Sequence, residues 1–197
     1  MSRKIQIVYS LDFLADNIFL DILSQNSNSQ IIDLKKNIKE EIESENYLGI
    51  KLKEQINTGS FISDDLITDL IFKEIKKSKR NIVLKNYPTS IDQYKKLKNK
   101  LKSTNTGISR FWKLSTLNVD QVVQNEIKKL ETLNYLKTDI NPSSIRNEIN
   151  IRITNLNNSI NDLIKTEYIK LNEINVDFEK DLTNLFIEKI TNNDIIF

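Results

Sequence analysis

Apolar and polar residues alternate over Lys4–Tyr9, with β-branched side chains among the apolar ones, which predicts a strand. From Asp12 to Leu23 the period changes, and Phe13, Ile18, Phe19, Ile22 and Leu23 recur on a helical stripe. After a polar break at Asn26–Ser29, Gln30–Leu34 predicts a second short strand. Lys36–Glu45 carries Ile38 and Ile42 at helical spacing, and a further helix over Gly49–Asn57 is closed by Gly59. Ser63-Asp64-Asp65 has the form of an N-cap with acid in the first turn. It opens a helix whose Leu66, Ile67, Leu70, Ile71 and Ile75 face a core.

Asn81–Lys85 predicts a third strand, ended by the turn Asn86-Tyr87-Pro88 and followed by a basic helix over Ser90–Lys102. Ser109–Leu114, with the single Trp112, reads as a fourth strand, and Asp120–Leu130 as a helix. Leu136–Pro142 is irregular. Pro142–Thr166 then places Ile145, Ile149, Ile153, Leu156, Ile160 and Leu163 on one helical face. Glu173–Val176 is a fifth strand candidate and Glu179–Ile190 a last amphipathic helix. Strands alternating with helices in this way predict βαβ units. The expectation is an α/β fold of three layers, a five-stranded parallel sheet flanked by helices, in one domain over residues 1–197.

Composition narrows the chemistry. The 197 residues include no His and no Cys. That excludes a thiol nucleophile, a Ser-His-Asp triad, an imidazole base and the usual zinc sites, so no metal or other cofactor is expected. Ile, Asn and Lys make up roughly 40% of the chain, a bias that strips meaning from any single Lys or Asn. In the basic helix Tyr94, Leu97 and Leu101 form a buried stripe beneath the lysines. Since 29 basic residues face 27 acidic ones, this is a solvated face, and the charge argues against a nucleic-acid partner. No apolar run reaches membrane-spanning length, and the start lacks a signal-peptide core, so the expected location is cytoplasmic.

Two stretches carry more than fold class. The first runs from Leu48-Gly49 to Gly59 and on to Asp64-Asp65-Leu66. The second is Leu84-Lys85-Asn86-Tyr87-Pro88-Thr89-Ser90-Ile91-Asp92-Gln93. In order and separation they resemble the monophosphate-binding region of adenylate kinases and that family's strand and loop Leu-Asp-Gly-Phe-Pro-Arg-Thr-x-x-Gln. The resemblance implies a P-loop-kinase-like fold, with a helical monophosphate-binding-like insertion over residues 35–64 and a very short lid over 130–141. It places Gln93 where the family reads adenine, Lys39 where an Arg grips phosphate, and Arg152 where another Arg contacts phosphate.

Other positions depart from the family pattern. The segment after the first strand, Tyr9–Asn17, contains no Gly, whereas a phosphate loop needs glycines for positive φ and close backbone approach. By the same alignment Ala15 stands at the loop lysine and Asn17 at the magnesium-binding hydroxyl, with Asp12 and Asp16 adding negative charge. Lys85 replaces the aspartate that organises magnesium waters. Thr89 and Asn141 replace arginines, and Asn125–Leu130 contains no Arg. Phosphoryl transfer depends on such groups to position and neutralise phosphates.

The sequence therefore favours a chain that is not an enzyme: a degenerate, adenylate-kinase-like structural or interaction subunit of a larger assembly of other proteins. The resemblance extends that expectation to a ciliary axoneme. The alternative is a sensor of AMP or a nucleoside through Lys39, Gln93 and Arg152. The terminal Ile195, Ile196 and Phe197 form an apolar run suited to docking on a partner.

Overall fold

β1 (Arg3–Tyr9) is buried from Ile5 to Tyr9, as suits the central strand of a parallel sheet covered on both faces. The computed structural model describes residues 2–11, 14–59, 61–132 and 141–194. In chain order β1 is followed by α1 (Asp16–Asn26), β2 (Ser29–Asp33), α2 (Leu34–Glu43), α3 (Tyr47–Asn57), α4 (Asp64–Lys77) and β3 (Asn81–Lys85). Then come α5 (Ile91–Leu101), β4 (Thr106–Ser115), α6 (Val119–Thr132), α7 (Pro142–Thr166), β5 (Leu171–Asn175) and α8 (Leu182–Asp194). Every strand pair is parallel, and the order across the sheet is β2-β3-β1-β4-β5. This is the three-layer, P-loop-kinase-like α/β architecture.

Each face of the sheet carries its own core. Val8, Val83, Trp112 and Leu114 pack with Phe19 and Leu23 of α1 and Phe186 and Ile190 of α8. Ile5, Ile7, Ile82 and Leu84 pack on the other side with Ile71 and Ile75 of α4 and Tyr94 and Leu97 of α5. Trp112 is wholly buried, and its indole N–H donates to Gln6 Oε1 at 2.8 Å, which gives the buried Gln6 amide oxygen of β1 a partner.

Element ends differ from the periodicity where capping decides them. α2 starts at Leu34 because the Asp33 carboxylate accepts from Lys36 N, and α3 starts at Tyr47 because Asn46 accepts from Leu48 N and Gly49 N. A Cβ on Gly49 would lie 2.1 Å from Glu41 O, so only glycine lets α3 close against α2. α1 begins at Asp16 rather than Asp12, after Ala15 in the left-handed region (φ 53°). β4 starts at Thr106, ahead of the expected Ser109, and shifts register against β1 between Ile5 and Gln6. α7 has the expected bounds, with Asn141 capping and Pro at its first turn.

Two lysines of α5 are paired across to α4: Lys96 with Asp65 at 2.7 Å and Lys100 with Asp69 at 2.8 Å. Lys98 also meets Glu167 at 3.4 Å. The basic helix is a solvated, acid-paired face. Among the described residues no helix is long and apolar enough to cross a membrane.

Candidate functional site

In a parallel sheet, ligands bind beyond the carboxyl ends of the strands, where successive connections leave on opposite faces. Here that point lies between β1 and β3. α1 leaves β1 into one core, whereas α5 follows β3 into the other. A cleft of about 360 Å³ opens there, lined by Ser10, Leu11, Asp33, Leu34, Lys35, Ile38, Lys85, Asn86 and Arg152.

Its floor is tied together by side chains. Asn86, left-handed at φ 54°, accepts from Ser10 N at 2.9 Å and donates to Ser10 O at 2.8 Å. That pair joins the end of β1 to the end of β3. Behind it, Tyr9 donates from its hydroxyl to Pro88 O at 2.7 Å, and burial raises its pKa far above the ordinary phenol value. Burial also pushes the Tyr87 phenol up to about 12, and its hydroxyl is shared with Thr68 Oγ1 at 2.8 Å. Both rings stay neutral and are buried in the core with Ile71 and Ile75.

The charged centre is Lys85. Its ammonium lies 2.5 Å from Asp16 Oδ2 and 3.6 Å from Asp33 Oδ2. Asp16 is 1% exposed and also accepts from Ser10 Oγ at 3.3 Å, while Asp33 uses its other oxygen to cap α2. The sequence pattern flags Asp16 and Lys85 separately, as departures from a family motif. The available signal was that the two departures have opposite charge. Lys35 and Asn86, which also line the cleft, carry no sequence signal beyond composition and a turn.

The residues singled out from the sequence occupy three different settings. Arg152, on α7, lines the cleft and also lies 4.0 Å from Glu148 Oε1. Lys39 is on the exposed side of α2, its side chain 80% accessible and 4.0 Å from Glu43. Gln93 is buried. Its Oε1 accepts from Thr89 N at 2.9 Å, and its amide donates to Asp64 Oδ1 at 2.7 Å. It clamps the loop after β3 to the start of α4, and contact with a base would require releasing those partners. Ile195, Ile196 and Phe197 lie outside the described residues, as do Asp12 and residues 133–140 of the expected lid.

Fold and cleft together define an α/β protein with a crevice at the topological switch point of its parallel sheet. No family model matches the chain. It is similar to adenylate kinases of Prochlorococcus marinus. With that of strain MIT 9515 it shares 29% identity over 68 residues, 34% of this chain and 37% of the relative. With that of strain MIT 9301 the identity is 26% over 85 residues, 43% and 47% of the two chains. A GTP:AMP phosphotransferase of Plasmodium falciparum (isolate 3D7) is 28% identical over 94 residues, 46% of this chain and 40% of that protein. The chain thus spans less than half the length of these curated relatives. These partial matches and the fold make the chain similar to adenylate kinases.

One expectation is corrected by these relatives. The chain was expected not to be an enzyme, yet the relatives, though distant, all carry the names of enzymes. That expectation counted Asp16 as an added negative charge and Lys85 as a lost aspartate; the two are partners in one buried ion pair at the cleft.

Proposed function

We propose that the chain binds a nucleoside monophosphate in the cleft at the ends of β1, β2 and β3, with the phosphate directed toward Lys35, Lys85 and Arg152. The observation that carries this reading is the convergence of those three cations, from α2, β3 and α7, on one crevice at the topological switch point. Adenosine monophosphate is the first ligand to try, since the relatives are named for adenylate or AMP chemistry. Thermal unfolding with and without millimolar AMP is the test. A ligand bound only by the folded state at a hundred times its Kd adds about 2.7 kcal/mol, a clear upward shift of the midpoint. Arg152→Ala is expected to remove most of that shift, and a parent chain whose midpoint AMP leaves unchanged would overturn the reading.

A second reading, a subunit of a larger assembly with other proteins, is favoured by exposed apolar side chains around α3. Phe61 is fully exposed, and Tyr47 is 73% exposed. Protein partners that co-purify with the parent chain and are lost with Phe61→Ser would support it. A variant retaining the same partners counts against that surface.

A further inference from the structure

We infer that Lys85 is the resident cation of the cleft, so that a bound phosphate is met by an ammonium group and is taken up free of divalent metal. This rests on the reading of the cleft as a nucleoside-monophosphate site and specifies the form of the ligand.

The family resemblance implies magnesium, so the donors on the page are the first thing to weigh. A magnesium ion requires oxygen ligands in near-octahedral array, usually one or two carboxylates together with water and phosphate. Among the described residues the carboxylates at the cleft floor are those of Asp16 and Asp33, and each turns an oxygen to Lys85, at 2.5 Å and 3.6 Å. The other oxygen of Asp33 is held by the backbone N–H of Lys36 as the cap of α2. Asp16 Oδ1 is buried without a hydrogen-bond partner, but a single orphan oxygen beside an ammonium is not a divalent site. Among the described residues no group of three acidic side chains could hold a metal ion. Among the described residues the donor set fits a monovalent ammonium and does not fit magnesium.

The charges agree with that assignment. Among the described residues Lys35, Lys85, Arg152 and Asp33 line the cleft, with Asp16 behind Lys85 and Glu148 4.0 Å from Arg152. A phosphate entering it finds the Lys85 ammonium already held by Asp16 and Asp33. A divalent cation would meet the Lys85 charge and two carboxylates already engaged.

Two measurements on the full chain test this. Mn²⁺ titration followed by electron paramagnetic resonance, with and without AMP, is expected to show no saturable metal site. AMP calorimetry is expected to give the same affinity in EDTA and in millimolar Mg²⁺. One saturable Mn²⁺ per chain, or an AMP affinity about tenfold higher with Mg²⁺, overturns the inference. Lys85→Met is expected to weaken AMP about tenfold. An unchanged affinity in a folded variant overturns the contact between Lys85 and phosphate. If AMP binds the parent in neither buffer, the nucleotide reading fails. The Mn²⁺ titration without AMP then still decides whether the cleft takes a divalent cation.

Discussion

Two sets of lysine–carboxylate pairs hold neighbouring parts of this molecule, and their surroundings give them different weight. Lys85 and Asp16, at the cleft, have side chains 10% and 1% exposed. Lys96 and Asp65, on the outer face of α5 and α4, are 38% and 78% exposed. Contact distances are nearly equal, 2.5 Å and 2.7 Å. What differs is the solvent that would take over if one partner were removed. Water readily compensates an exposed carboxylate, whereas the buried Asp16 would keep an uncompensated charge. Proximity alone ranks the pairs as equals; burial separates them.

The sharpest way to break this comparison is to remove Lys85. Lys85→Met is expected to destabilise the fold by about 3–5 kcal/mol, measured by urea unfolding, because it strands Asp16. Adding Asp16→Leu should recover most of the loss, since both charges then disappear together. A single variant as stable as the parent would end the distinction.

An intermediate case is Lys73–Glu41, which ties α2 to α4 at 2.5 Å. Burial raises the Glu41 pKa, but hydrogen bonds from Lys73 and Asn46 and the nearby lysine charges outweigh it and hold the carboxyl below its ordinary value. A carboxyl depressed in the folded state stabilises at neutral pH, and that contribution is lost as pH falls from about its ordinary 4.5 through the lowered value. Glu41→Gln should therefore flatten the acid limb of a stability–pH curve, and an unaltered limb would remove Glu41 from the account. The smallest effect is expected from Lys96→Ala with Lys100→Ala. Its change in unfolding midpoint should vanish in about 1 M salt, where exposed charges are screened within about 3 Å. A loss that persists at that salt concentration would make the outer ladder more than a solvated face.

Much of the architecture was legible because local signals and packing agreed. Asn81–Lys85 reads as a strand and is one, and Pro142–Thr166 reads as a helix with the bounds it has, since Asn141, Pro142 and the Ile stripe all point the same way. The start of β4 was hidden because Thr106-Gly107 has no apolar alternation and is held by pairing with Arg3 and Lys4 of β1. α2 and α3 begin early because Asp33 and Asn46 act through their side-chain caps. At the site, Arg152, which the family pattern singles out, lines the cleft. The Lys85–Asp16 pair was not legible, because its partners are far apart in the chain and, taken singly, Lys85 looks like a lost aspartate and Asp16 like a misplaced negative charge. Gln93 was legible as a special residue, but its partners Thr89 and Asp64 are known only once α4 and α5 are packed together.

The lone tryptophan turns the centre of this sheet into its own spectroscopic probe. Trp112 is fully buried, stands edge-on to Phe19 of α1 at 5.7 Å, and is hydrogen-bonded to Gln6 of β1. All tryptophan emission therefore originates between the first strand and the helix that begins at Asp16. Unfolding releases that indole to water and shifts its emission to longer wavelength, so loss of the sheet can be followed in the unlabelled chain.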